Sequence, residues 1–193
     1  MKKVVINPFS VYNEKKLLLS GLILFSVSVV LATIFNARRD GILDVHFVSH
    51  VDFRVALADG LINIGILTLI LFIAGKIINS KTRFLDMFIT SLLSLPVFMF
   101  LFFFNISNSM SIIGEQLTGM AINNEAMELI FDNLTLILVF SLFGILVIVW
   151  FFVLAYNGFK VATNAKGTKP IIMFIVAILL AEIFSKIIIY QFA

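Results

Sequence analysis

The sequence predicts an all-α fold: a polytopic membrane helix bundle with five transmembrane helices. Apolar residues make up 61% of the 193-residue chain and mean hydropathy is +1.13, whereas soluble domains are about 45–50% apolar. The apolar residues also gather in five long runs that are nearly free of charge. Because about 20 apolar helical residues cross a hydrocarbon core of about 30 Å, each run is long enough for one crossing.

The five runs define the predicted helices, numbered 1 to 5. They cover residues 17–35, 56–78, 84–104, 134–156 and 171–192. Residues 1–16 are predicted to form a short cytoplasmic segment, and residues 17–193 a single transmembrane domain. The first run exceeds the roughly 7–15 apolar residues of a signal peptide, and no clear cleavage site follows it, so we expect it to be retained as a helix.

The basic residues predict the orientation. The N-terminal segment and the connections between helices 2 and 3 and between helices 4 and 5 together carry ten Lys and Arg residues, and the remaining segments carry four. Cytoplasmic segments are enriched in Lys and Arg. We therefore predict a multi-pass protein of the cell membrane with a cytoplasmic N-terminus and an extracytoplasmic C-terminus.

The first outer connection, residues 36–55, contains both histidines of the chain. His46 and His50 are four residues apart, which predicts that they share one face of a helix, and Asp44 and Asp52 flank them. Such residues could bind zinc, which needs three or four convergent ligands. The alternative, which we favour, is a solvated amphipathic segment whose charges face the headgroups. The prediction is therefore no metal and no cofactor.

Helices 2 and 3 each contain residues unusual for a membrane span. Asp59 is predicted to cap helix 2 or to lie at the positive end of its dipole. Asn63 should face protein, because an unpaired amide in hydrocarbon is costly. Pro96 is expected to bend helix 3, because proline removes a backbone donor and frees a carbonyl. A static bend is favoured over a hinge.

The second outer connection, residues 105–133, carries apolar residues at roughly helical spacing. That spacing predicts either a helix on the outer leaflet or a helix buried against the bundle. The residues concerned are Ile113, Leu117, Met120, Met127 and Phe131.

Helix 5 contains Glu182 and Lys186, the only ionisable residues predicted well inside an apolar run. Ionisable groups within a membrane often mark functional sites. The alternative, which we favour, is structural: Lys186 extends toward the headgroups while Glu182 pairs with it or with a neighbouring helix. No second carboxylate, histidine or arginine is expected in a helix core, which weakens a proton relay or a transport pathway.

The composition also argues against several classes of protein. With no Cys, the chain can form neither disulfides nor thiolate metal sites. No nucleophile–base pair lies at membrane depth, and neither a P-loop nor a dinucleotide fingerprint is present. The basic residues lie at membrane edges rather than in one patch, so nucleic acid is not an expected partner. We predict that the protein is not an enzyme.

Three segments resemble the Yip1 family in its short prokaryotic form. They are residues 7–16, beginning Asn-Pro-Phe; residues 75–86, followed by Pro96; and residues 156–162, beginning Tyr-Asn-Gly-Phe. The resemblance implies five membrane helices and a cytoplasmic N-terminus, and it supplies no catalytic residues. Eukaryotic members are linked to membrane trafficking and to Rab-type GTPases through a long N-terminal region. The short segment 1–16 argues against GTPase binding here.

Two functions remain as hypotheses. The first is a non-enzymatic integral membrane protein of the Yip1-like type that organises the bilayer by packing with itself, with other membrane proteins or with lipid. The alternative is a small transporter, channel or permease subunit in which Glu182 lies in a polar pathway, with Asn63 and the bend at Pro96 contributing.

Overall fold

The computed structural model describes residues 2–119 and 124–192, and the predicted all-α bundle is confirmed. Five helical segments are long and apolar enough to cross a membrane, as in a multi-pass membrane protein. The helices are α1 Lys2–Ile6, α2 Glu14–Ile34, α3 Phe53–Ile78, α4 Phe84–Ser94, α5 Met99–Phe102, α6 Ser109–Gly119, α7 Asn124–Asp132, α8 Leu134–Thr163 and α9 Lys169–Phe192. Strands β1 Ala37–Arg38 and β2 His46–Phe47 form an antiparallel ribbon.

The spans alternate in direction, which defines two ends of the bundle. We call the end that holds residues 35–52, between α2 and α3, the loop end. The opposite end holds residues 79–83, between α3 and α4, and we call it the hairpin end. The chain enters α2 at the hairpin end, and Lys186 near the end of α9 bonds to Asp44 at the loop end. The first and last spans therefore have their outer termini at opposite ends of the bundle.

Several helices extend beyond the predicted bounds. α2 begins at Glu14 rather than at residue 17, because the Asn13 side chain caps its first turn. α3 begins at Phe53, before the predicted residue 56, and Asp52 provides its cap. α8 continues to Thr163, beyond residue 156. Hydropathy indicates where charged residues begin, whereas helical hydrogen bonding continues through charged residues until a cap ends it.

The third span is the centre of the bundle. In its apolar window 72% of residues are buried, against 11% in α8. The predicted single helix 84–104 is wrong in detail, because α4 ends at Ser94 and a 3-10 helix, Leu95–Phe98, follows. Pro96 lies within this 3-10 helix. Proline cannot donate the hydrogen bond that a continuous α-helix needs, so the span is a series of short helices.

Glycines allow α4 to pack closely against its neighbours. A Cβ atom at Gly21 of α2 would lie only 2.8 Å from the Leu92 Cβ atom, and one at Gly158 of α8 would overlap the Thr90 side chain. In lipid, where packing replaces the hydrophobic drive between helices, small residues at such contacts let the backbones approach. α4 is therefore held between α2 and α8.

The second connection is not one continuous helix. Residues 103–108 form a 3-10 helix interrupted by a kink, and α6 and α7 follow. Of the residues predicted to share a face, Ile113 is buried, Leu117 is partly exposed, and Met127 and Phe131 are exposed. Met120 lies outside the described residues. The connection is thus helical, but its apolar residues do not all face the bundle.

Candidate functional site

The loop between α2 and α3 folds into the bundle, which corrects the prediction of a solvated amphipathic segment. Ile42 is fully buried, and Arg39 is only 7% exposed. The helical face predicted for His46 and His50 is also wrong. His46 lies in strand β2, and His50 is exposed in the coil that follows it. The ribbon turns the chain inward at residues 39–45, which a helix could not do over so short a distance.

Asp59 anchors the loop through Arg38. Arg38 donates from Nε to Asp59 Oδ2 over 3.0 Å and from Nη2 to Oδ1 over 3.2 Å. Asp52 rather than Asp59 caps α3, so Asp59 lies well inside the helix and is buried. The expectation that no further carboxylate lies in a helix core is therefore wrong. The bidentate, charge-assisted pair of Arg38 and Asp59 is among the strongest hydrogen-bonding geometries, and its hydrogen bonds raise the pKa of Arg38.

Arg39 lies deeper than Arg38. Its guanidinium carbon is 5.3 Å from the centre of the Phe98 ring, a cation–π arrangement. Among the described residues, its Nε and Nη2 atoms have no hydrogen-bond partner. Burial lowers the pKa of Arg39 to about 10, against the attraction of Asp59 and Glu182. The aromatic ring and the two carboxylates therefore stabilise a cation that has left water.

Asn63 joins the loop to two helices. From its place in α3 it donates from Nδ2 to the Arg39 carbonyl oxygen over 2.7 Å. Its Oδ1 atom accepts a hydrogen bond from the Ser185 hydroxyl of α9. Both side chains are fully buried. The amide therefore faces protein, and the loop, α3 and α9 share one hydrogen-bonded network.

Glu182 receives the tip of the loop. Its Oε2 atom accepts the Leu43 backbone N–H over 2.8 Å, and its Oε1 atom lies 3.4 Å from Lys186 Nζ. A Cβ atom on Gly41 would lie 2.6 Å from Oε1 and 2.8 Å from Oε2. Only glycine allows the backbone this close to the carboxylate. Lys186 in turn donates to Asp44 Oδ2 over 2.6 Å. Glu182 and Lys186 of α9 therefore bind the adjacent loop residues Leu43 and Asp44.

The predicted metal ligands have separate partners. His46 Nδ1 lies 3.0 Å from Asp40 Oδ1, a hydrogen bond that raises the pKa of His46 and lowers that of Asp40. Asp44 pairs with Lys186, and Asp52 accepts the Arg54 backbone N–H. No group of three or more potential ligands is found in residues 2–119 and 124–192. The geometry does not assemble a zinc site from the predicted residues.

A cavity of about 550 Å³ opens at the loop end, beside the ribbon and the last turns of α9. Polar and apolar side chains share its wall, including Arg38, Asp40, His46, Lys186 and Tyr190. Arg38, Asp40, His46 and Lys186 already pair with protein groups. The arrangement can hold the loop in place and present a mixed-charge surface, but it offers no nucleophile next to a base.

Sequence reasoning missed the importance of Arg38, Arg39, Gly41 and Asp59. One signal was available: two adjacent arginines lie in a connection that the basic residues predict to be outer, against the usual excess of basic residues on the cytoplasmic side. Their partners are 21 to 24 residues away or farther in sequence. Pairings at that distance leave no local periodicity, so in the sequence alone the two arginines indicate only membrane orientation.

Comparison of the chain with protein-family models, with curated proteins and with solved structures finds no match. Membership of the Yip1 family therefore stays a prediction based on the three segments that resemble it. In the structure these segments lie together at the hairpin end, where Arg83 donates to Glu14 and Phe9 lies beside Gly158.

Proposed function

We propose that the protein is a non-enzymatic, multi-pass membrane protein of the Yip1-like type that organises membrane lipids or partner membrane proteins. In this proposal its N-terminus is cytoplasmic and the loop end is extracytoplasmic. The main support is the pairing of the ionisable groups within the bundle. Asp59 pairs with Arg38, Glu182 with the Leu43 N–H and Lys186, and Lys186 with Asp44.

This pairing favours a structural role over transport. A carrier or proton relay needs an intramembrane polar group whose bonding capacity is free for the solute or the proton. Glu182 instead bonds to the backbone of the loop, and the neighbouring Ile42 is fully buried in the main apolar core. A solute passing Glu182 would have to displace the loop, together with the Asn63 and Asp59 bonds that hold it.

The second candidate is a transporter, channel or permease subunit. Two observations favour it: the 550 Å³ cavity that reaches Lys186, and the two Arg39 nitrogen atoms without partners among the described residues. If the loop were to leave its place, Glu182 would lose its Leu43 partner and face that space, and Arg39 would move with the loop. The candidate thus requires a mobile loop, whereas the proposed function requires a fixed one.

Flux through liposomes separates the two candidates. Purified protein is reconstituted with an internal pH dye. Proton gradients are read directly, and gradients of K⁺, Na⁺ and Cl⁻ are read with a protonophore that couples their flux to proton movement. We expect the same flux as in empty liposomes, for wild type and for Glu182→Gln. Flux that requires the protein and disappears in Glu182→Gln would overturn the proposal in favour of the second candidate.

The organising role has its own readout. Native mass spectrometry of protein released from its own membrane should detect a stoichiometric lipid or a second polypeptide on the chain. A bare monomer released under gentle conditions, across several detergents, would contradict the role even if no flux is seen.

A further inference from the structure

Two adjoining cavities lie on one face at the hairpin end. The first, about 310 Å³, lies beside Arg83, Glu14 and Asp86. The second, about 340 Å³, has an almost entirely apolar wall. Tyr12 and Leu17 line both cavities, so the charged space continues into the apolar one.

The charged cavity carries both signs. Arg83 Nη2 lies 2.5 Å from Glu14 Oε2 and 2.5 Å from Asp86 Oδ1, and its Nε lies 3.1 Å from Asp86 Oδ2. These three bonds leave guanidinium N–H donors for another acceptor, since the group has five. One cation faces two carboxylates, so the site has an excess of one negative charge. A ligand with a phosphate and an ammonium group would complement it.

The apolar cavity is at least as deep as one leaflet. Glu14 begins α2, and Leu24 lines the cavity ten residues further along the same helix. Leu93 stands ten residues beyond Arg83 along the third span. Ten helical residues rise about 15 Å, which is half of a hydrocarbon core of about 30 Å. The charges therefore lie at headgroup level if the apolar wall lies at acyl-chain level.

The break in the third span forms the deep part of this cavity. Pro96 and Phe100 line it where the α-helix gives way to shorter segments, and Trp150 of α8 stacks on Phe100 with ring centres 5.6 Å apart. Trp150 also donates to the Val5 carbonyl oxygen, so α1 covers this part of the groove. A straight helix packed by large side chains would leave less room here.

We propose that this face binds one phospholipid with a phosphoethanolamine-type headgroup. Arg83 binds the phosphate, Glu14 and Asp86 accept hydrogen bonds from the primary ammonium, and one acyl chain fills the apolar cavity. A phosphatidylglycerol headgroup has no cation for the two carboxylates, and a choline ammonium has no N–H to donate. The inference goes beyond the proposed function, because a lipid at this place is compatible with either candidate.

The chain provides its own reporter, because Trp150 is its one tryptophan and lines the cavity. Phospholipids with brominated acyl chains, mixed at low mole fraction into otherwise unbrominated liposomes, quench tryptophan on contact. We expect brominated phosphatidylethanolamine to quench Trp150 with about fivefold higher apparent affinity than brominated phosphatidylglycerol or phosphatidylcholine, a preference on the scale of exposed ion pairs. Unbrominated phosphatidylethanolamine should restore the fluorescence.

Two variants on α2 test whether the lipid binds in the apolar cavity. Ser20 is exposed and lines the cavity, whereas Ser26 is exposed on the same helix and lies outside its lining. Ser20→Phe should remove the preferential quenching, and Ser26→Phe should keep it. The double variant Glu14→Gln, Asp86→Asn should abolish the preference for phosphatidylethanolamine, because the Arg83 cation that remains without its carboxylates favours the anionic phosphatidylglycerol. Equal quenching by all three lipids in wild type, or the same result for the Ser20 and Ser26 variants, would overturn the inference.

Discussion

Both ends of the bundle carry exposed ion pairs, such as Lys186–Asp44 at the loop end and Arg83–Glu14 at the hairpin end, but the loop end also carries a largely buried pair. At the loop end, the Arg38 and Asp59 side chains are 20% and 6% exposed. At the hairpin end, Arg83 and Glu14 are 60% and 43% exposed. Arg38 and Asp59 are largely removed from water and need each other as partners, whereas Arg83 and Glu14 remain available to headgroups. The comparison indicates that the buried Arg38–Asp59 pair stabilises the fold, whereas the exposed Arg83–Glu14 pair is accessible to a headgroup.

The difference follows from how the chain returns at each end. At the hairpin end, residues 79–83 join α3 to α4 directly, so Arg83 stays at the surface. At the loop end the connection is longer and turns inward through β1, Gly41 and β2. That path brings Arg38, Arg39 and Leu43 against carboxylates of α3 and α9.

The largest effect should come from removing a buried partner at the loop end. Asp59→Leu leaves Arg38 without its carboxylate, and we expect it to destabilise the protein by about 3–5 kcal/mol, the usual loss when one member of a buried pair is removed. The measurement is reversible unfolding in mixed micelles.

Two controls sharpen this test. The double variant Arg38→Leu, Asp59→Leu should recover much of the stability, because no charge is left unpaired. Arg83→Gln at the hairpin end should leave the unfolding midpoint unchanged. Equal effects of the Asp59 and Arg83 variants would remove the distinction between the two ends.

A smaller effect is expected from a methyl group at Gly41. Gly41→Ala places a Cβ atom against the Glu182 carboxylate, which should push the loop outward and destabilise the protein by about 1–3 kcal/mol, as overpacking does. Gly65→Ala in α3 is the matched control, since nothing lies within 4 Å of its new atom. It should be neutral or stabilising, by up to about 1 kcal/mol from helix propensity. A neutral Gly41→Ala would argue against the observed loop position.

The smallest effect concerns pH. Asp40 raises the pKa of His46 above its usual 6.5, so the pair stabilises the fold most below about pH 6.5 and loses this contribution as pH rises through the folded-state pKa. The Asp40 pKa is lowered, so the contribution also falls when pH drops through the folded-state pKa of that carboxyl, below its usual 3.8. Both side chains are about 40% exposed, so the gain should stay below about 1 kcal/mol.

Unfolding midpoints measured at about pH 5.5 and about pH 8.5 test this. The unfolding midpoint of wild type should exceed that of His46→Gln by more at about pH 5.5 than at about pH 8.5. The midpoint of His50→Gln should change with pH as that of wild type does. If His46→Gln keeps the full pH difference of wild type, the Asp40–His46 pair does not produce it.

The sequence predicted the spans well because hydropathy is local. It predicted the loop end poorly, because that region depends on contacts between distant residues. The apolar run begins at residue 56, which predicts that Asp59 lies near a helix start, but the helix begins at Phe53 and Asp52 caps it. The i, i+4 spacing of His46 and His50 places two side chains on one face only in a helix. Because His46 lies in strand β2, that spacing does not bring the two histidines together. Glu182 could be singled out by its depth, but its Leu43 partner is 139 residues away.

Labelling of single cysteines tests the central claim most directly: the loop is folded into one end of a bundle whose two ends face different compartments. The chain has no native Cys, so Ile42→Cys, Ser49→Cys and Ser80→Cys each carry a unique thiol. With a membrane-impermeant maleimide on intact cells, Ser49→Cys should label, Ile42→Cys should stay protected, and Ser80→Cys should label only after permeabilisation. Fast labelling of Ile42→Cys, or labelling of Ser49→Cys and Ser80→Cys from the same side, would contradict the account.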